Sequence, residues 1–339
     1  MNKYYIEILV EKANHAGSKA RDDVALFLED SEVTNQVFDR EISKFEKVLF
    51  TKTNIKDKLK KTKPKDMIII SYPLFFRKVY TDYLIKVIKN KKLSSVLLIH
   101  DIESLRQNFN KKQIDEEIQL INNFDILISH NQSMTNWLIE KGVTSHIIDL
   151  QLFDYYNTTP IKESLLKDSG VIFAGNLGKS KFLSKISEMK NKINLYGPNP
   201  QENYSKNTNY LGSFSPNQLP LFMEGSYGLI WDGDSSEECR GISGNYLKYN
   251  NPHKTSLYLS CGIPVVIWRK AALAPFIQRN NLGLCVDSLK EMDQLLSSIT
   301  DEEYRNMKLN AVEIANKVRT GFFIKEAIKK AEHILMEEF

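Results

Sequence analysis

Cysteine is scarce in this chain of 339 residues, which carries only Cys239, Cys261 and Cys285 and no CxxC pair. An odd, widely spaced set excludes a disulfide framework and a structural zinc site, and it fits a reducing compartment. Long apolar runs are also missing, since none approaches the ~20 residues that a membrane-spanning helix needs. The opening stretch MNKYYIEILVEKAN passes from a short apolar run straight into charge. It lacks a signal peptide's apolar core and small-residue cleavage site, so a cytoplasmic location is expected. A net charge of +4 is too small to imply a nucleic-acid partner. With 42% hydrophobic and 26% charged residues the chain is neither disordered nor fibrous. At ~150 residues per domain its length suggests two domains.

Glycine is nearly absent from the first half: Gly17 and Gly142 precede residue 165, and the other thirteen follow it. Glycines at strand-to-helix turns let backbone amides approach a phosphate, so the second half is the expected phosphate-binding half. One dense basic run, Lys52 to Lys65, holds seven lysines. It reads as a solvated helix face, with peripheral contact to the inner face of an anionic membrane as the alternative.

Short β-branched runs alternate with helical patterns along the whole chain. Strands are expected near Tyr4–Val10, Val33–Phe38, Asp66–Ser71, Ser95–His100, Phe124–Ser129 and His146–Leu150. After the polar stretch Asp154–Pro160, read as a linker, they are expected near Val171–Ala174, Ile193–Tyr196, Gly228–Trp231, Pro264–Trp268 and Gly283–Val286. The spacing of Val79, Tyr80, Tyr83, Leu84, Val87 and Ile88 predicts one buried helical face. This pitch predicts an α/β protein of two Rossmann-like, doubly wound domains.

Two motifs in the second half suit anions. In Phe173-Ala-Gly-Asn176-Leu-Gly-Lys179-Ser180, a strand is expected to run through a Gly turn into a helix opened by a cation and a hydroxyl. The spacing is neither a Walker A loop nor a dinucleotide fingerprint. In Asn250-Asn-Pro-His-Lys254-Thr255-Ser256, a capped helix start carries a lysine and two hydroxyls in its first turn, and Gly262 closes the helix. Two anion sites in one half match a nucleotide diphosphate. Asp232-Gly-Asp234 has the DxD spacing of some metal-dependent sugar-nucleotide enzymes, but the doubly wound pattern points to a metal-free mode. In the first half, His100, Asp101 and His130 follow strand ends and are candidate general bases; His100 and Asp101 pairing to cap the next helix is the alternative. A sugar-nucleotide donor needs a held diphosphate and a base for the acceptor hydroxyl, and the two halves are suited to supply one each.

The segments NHAGSKA, IHDIESLR, FAGNLGKS and above all GNYLKYNNPHKTSLYLSCGIPVVIW resemble a bacterial glycosyltransferase group. That group contains the glucosyltransferase that extends GlcNAc on serine-rich-repeat adhesins, together with galactofuranosyltransferases of capsule and O-antigen synthesis. The resemblance implies a GT-B fold with an acceptor-binding domain over 1–155 and a UDP-sugar-binding domain over 156–320. A helix over 321–339 is then expected to cross back to the first domain. It also implies a UDP-sugar donor, no cofactor or metal, and a homo-oligomer, either tetramer or dimer. Carried over, Asn176, Lys179, Ser180, Lys254, Thr255 and Ser256 face the donor phosphates, and Gly17 and Ser18 close over the sugar. Tyr196, Tyr210 and Asp232 are placed near the uridine or the sugar. Leu257 stands where retaining members carry a glutamate, which favours inversion with Asp101 or His100 as base. The leading expectation is glucose transfer from UDP-glucose to a GlcNAc-bearing adhesin. The alternatives are galactofuranose transfer to a lipid-linked glycan and a non-catalytic glycan-binding subunit.

Overall fold

The computed structural model describes residues 1–9, 16–39, 46–161, 166–186 and 188–337. Asn14 and His15 of the first motif lie outside them. The chain forms two compact units, one holding residues up to Leu150 and the stretch from Ile324 onward, the other Gln151 to Phe323.

The first unit is built on a parallel sheet of β1 (Lys3–Leu9), β2 (Val33–Asp39), β3 (Met67–Tyr72), β4 (Ser94–Ile99), β5 (Ile126–Ser129) and β6 (His146–Asp149). Its order is β2-β1-β3-β4-β5-β6. Every residue of β3, β4 and β5 is buried, which explains why these strands read as continuous apolar runs rather than alternating ones. The helix Lys78–Asn90 buries Tyr80, Thr81, Leu84, Ile85 and Ile88. The expected face is displaced by one position, because Val79 is 62% exposed while Thr81 and Ile85 are buried beside the row Tyr80–Leu84–Ile88. The last helix, Phe322–Glu337, is tied to this unit by Lys3–Glu332 and Lys325–Asp30 ion pairs.

The second unit repeats the plan with β7 (Val171–Ala174), β8 (Ile193–Tyr196), β9 (Thr208–Tyr210), β10 (Tyr227–Ile230), β11 (Val265–Trp268) and β12 (Gly283–Val286), all parallel. The order is β12-β11-β10-β7-β8-β9. Strand β9 was not anticipated: three residues, none buried, on a sheet edge leave no period to read. Gly228 in β10 is required by packing, since a Cβ there would lie 2.2 Å from the Tyr258 ring. That close approach lets the helix His253–Ser260 lie against β10 and places the Tyr258 hydroxyl 2.7 Å from the Ala174 amide, which donates to it. Gly262, at φ +65°, follows this helix as expected. The helix Asp301–Arg319 packs on it and caps its last carbonyls. Lys308 donates to Gly262 O at 2.6 Å and Arg319 to Ser260 O at 2.6 Å.

Both sheets reverse strand order once, between β1 and β3 in the first unit and between β7 and β10 in the second. Ligands of open α/β sheets bind beyond the carboxyl ends of the strands at such reversals. Among the described residues no helix is long and apolar enough to cross a membrane.

Candidate functional site

At the reversal point of the second unit, β10 runs into Trp231 and Asp232, and the helix His253–Ser260 begins beside them. Lys254 Nζ donates to Trp231 O at 3.2 Å and to both Asp232 oxygens at 3.0 and 3.1 Å. The same ammonium lies 4.9 Å from the centre of the Phe173 ring, on β7. One lysine therefore links the ends of both strands flanking the reversal. Behind it, Thr255 and Ser256 are fully buried, and neither hydroxyl has a hydrogen-bond partner. Two unpaired buried hydroxyls are costly in a finished core. His253, in the same turn, packs on Tyr155, with ring centres 5.0 Å apart, and on Phe153 at 6.0 Å.

The helix start differs from expectation in one respect. The N-cap is Pro252, which has no side-chain acceptor, while Asn251 donates instead to Gln151 O at 3.0 Å. The first turn therefore has no side-chain cap, which suits an end that receives an anion.

The Gly-Asn-Leu-Gly-Lys-Ser motif is not a helix start. It forms two short 3₁₀ turns, Leu177–Lys179 and Lys181–Lys185. Leu177, Phe182 and Leu183 are all buried, with Phe182 edge-on to Phe173 at 5.1 Å. Ser180 is buried and donates to Asn176 O at 3.0 Å; Asn176 Oδ1 accepts from Asn199 at 3.2 Å, and Lys179 is exposed. Gly197 brings the next turn against this one, since a Cβ there would meet Gly175 O at 1.8 Å. Tyr196 is buried, its hydroxyl donating to Phe222 O at 2.9 Å and accepting from Glu224 N at 3.0 Å. Tyr210 is 40% exposed on β9 and donates to Gly197 O at 3.3 Å. Of the DxD carboxylates, Asp232 pairs with Lys254 and Asp234 with Arg240 at 3.3 Å. The structure thus brings Asp232, Lys254, Thr255 and Ser256 together, with Asn176 and Ser180 in the turn after β7.

In the first unit Gly17 and Ser18 lie within the helix Ala16–Glu29. His100 and Asp101 directly follow β4. His100 Nε2 lies 3.0 Å from Ser71 Oγ, which is 2.7 Å from Tyr5 Oη; burial pushes that phenol up to about 12. Asp101 is bound by Arg106 at 2.9 Å. The two do not cap the next helix as a pair: buried Glu117 accepts from the amides of Glu103 and Ser104 and from the Tyr72 hydroxyl. His130 is no base. It is 1% exposed, its Nε2 bonds Ile99 O at 3.1 Å, and burial pulls its pKa to about 4. Two groups that sequence reasoning passed over stand at the reversal between β1 and β3: Arg21, and Phe75 with its ring over the guanidinium at 4.7 Å.

The two parallel six-stranded sheets, each with one reversal of strand order, are those of the GT-B fold. Anabaena HepE, solved with UDP and glucose, is similar over 98% of this chain and 99% of its own, with a TM-score of 0.60 at 13% identity. The chain belongs to the glucosyltransferase 3-like family: its N-terminal domain model matches residues 3–152 and its C-terminal domain model residues 171–331. The chain is 39% identical to the β-1,6-galactofuranosyltransferase WbbI of Escherichia coli K12, over 78% of this chain and 79% of the relative. It is 26% identical to glucosyltransferase 3 of Streptococcus gordonii over 78% of each.

Proposed function

We propose that the protein transfers a hexosyl group from a UDP-sugar, with inversion and without a metal or other cofactor. The observation that carries the reading is the cluster at the start of the helix His253–Ser260, where Lys254 and two unpartnered buried hydroxyls stand at the strand-order reversal. In this reading the donor's diphosphate replaces Asp232 on Lys254 and accepts from Thr255 and Ser256. Asn176, Lys179 and Ser180 flank the diphosphate, Tyr196 and Tyr210 serve the uridine or sugar, Asp232 released from Lys254 serves the sugar, and Gly17 and Ser18 serve the sugar.

Chemically, the acceptor hydroxyl gives its proton to Asp101 or His100, and its oxygen bonds the anomeric carbon. The bond from that carbon to the diphosphate oxygen breaks, and UDP leaves with the electron pair. Lys254 and the helix N-terminus then stabilise the charge developing on the leaving group. Leu257 carries no carboxylate where retaining enzymes have one, which supports inversion.

Two donor–acceptor pairs are compatible with this chemistry: glucose onto a GlcNAc-bearing adhesin, and galactofuranose onto a lipid-linked glycan. The 39% identity to WbbI, against 26% to the streptococcal glucosyltransferase 3, supports the galactofuranose reading. A homo-oligomer and peripheral contact with an anionic membrane through Lys52–Lys65 belong to the same proposal. The test is UDP release in EDTA from UDP-glucose, UDP-galactose, UDP-GlcNAc and UDP-galactofuranose, with and without a GlcNAc-bearing peptide. Acceptor-stimulated release from UDP-glucose selects the adhesin reading, and release from UDP-galactofuranose alone selects the polysaccharide one. No release from any donor, in a folded protein, contradicts the proposal and promotes a glycan-binding subunit.

A further inference from the structure

Arg21 and Phe75 form a stack at the strand-order reversal of the first unit. Arg21 leaves the helix that follows β1, and Phe75 sits three residues beyond the end of β3. The two strands are neighbours in the sheet even though β2 separates them in sequence. The guanidinium is 7% exposed; Nη2 donates to Pro73 O at 2.8 Å, and Nη1 is buried without a hydrogen-bond partner. Burial pulls its pKa down, while Tyr5 and Asp101 act to restore it, so the cation lies within electrostatic reach of the Asp101 carboxylate.

Phe75 is the unusual partner. Its backbone has φ +51°, a left-handed conformation that bulky residues avoid, and its side chain is 41% exposed. Both features work against folding. Its neighbour Phe76 instead packs edge-on to Phe38, with ring centres 6.0 Å apart. Strained conformations of this kind persist where the surrounding structure enforces them, and they cluster at ligand sites. The guanidinium lies against one face of the ring at 4.7 Å, a cation–π contact.

We infer that the outward face of Phe75 is a saccharide subsite that takes a sugar ring of the acceptor glycan. An aromatic face binds the C–H side of a sugar. A net anion fits less well, because Arg21 is directed into the ring and Pro73 rather than outward. The inference rests on the glycosyltransferase reading for its choice of ligand. Its evidence lies wholly in the first unit, apart from the cluster around Lys254.

The test is ligand-observed saturation-transfer NMR of the full chain with the methyl glycosides of GlcNAc, glucose, galactose and galactofuranose. Wild type, Phe75→Ala and Phe75→Tyr are compared, and calorimetric UDP binding reports separately on the second unit. The inference expects saccharide binding by wild type and by the tyrosine variant. Alanine should weaken it by about tenfold or more, as loss of a central aromatic contact does, with UDP affinity the same in all three. Saccharide binding that is undetectable in wild type, or equal in wild type and Phe75→Ala, overturns it. Failure of wild type to bind UDP would instead count against the donor reading, so the two failures are told apart.

Discussion

Lys254 and Asp232 hold each other at 3.0 Å, at the point where a diphosphate would need the lysine. The pair is partly exposed, 15% for the lysine side chain and 30% for the aspartate, so the attraction between them is modest. In the proposed reading the carboxylate is a placeholder that the donor's doubly charged phosphate group displaces. Substituting Asp232→Asn removes the competitor and its repulsion. Calorimetry with UDP should then give binding about two- to fivefold tighter than wild type, the range corresponding to a surface-type ion pair. Weaker binding would mean that Asp232 itself holds the nucleotide.

Thr255 and Ser256 should separate stability from function. Both hydroxyls are buried and unpaired in the ligand-free chain. Thr255→Val and Ser256→Ala remove a desolvated polar atom with little change in shape. Each is expected to leave the thermal midpoint unchanged or to raise stability by ~1 kcal/mol. UDP affinity should fall by roughly tenfold or more, the value of a hydrogen bond to a charged acceptor. A variant that loses stability and keeps its UDP affinity would make these hydroxyls structural.

The first unit should be acid-sensitive through His130. Its folded pKa is about 4, against a reference value of 6.5. Below about pH 6.5 the unfolded chain binds a proton that the folded imidazole does not. Stability from this group is therefore complete above pH 6.5 and is lost as the pH falls towards 4. The contribution is about 3 kcal/mol from a shift of this size. Imidazole chemical shifts followed by NMR should titrate near pH 4; a midpoint near 6.5 would show that the ring is solvated.

The sequence carried the sheets further than it carried the site. Buried runs such as Met67–Tyr72 and Ser94–Ile99 announce themselves because both faces of a parallel strand are apolar. Thr208–Tyr210 does not, being short, polar and on an edge. The His-Lys-Thr-Ser turn was legible because its residue types are unusual at a helix start, but that both hydroxyls lack partners depends on packing. The turn after β7 misled, since Gly-Asn-Leu-Gly-Lys-Ser reads as a helix entry while the chain forms 3₁₀ turns there. Phe75 left no trace in the sequence: its stack with Arg21 joins residues 54 positions apart in the chain.

The central claim is that the start of the helix His253–Ser260 receives the donor's diphosphate. Calorimetric titration of UDP and of uridine into wild type and Lys254→Ala tests it most directly, because the two ligands differ only in the diphosphate. The account predicts that wild type prefers UDP by at least about tenfold, and that the preference largely disappears in Lys254→Ala while uridine binds both proteins alike. An undiminished preference for UDP in Lys254→Ala would contradict it and move the diphosphate elsewhere.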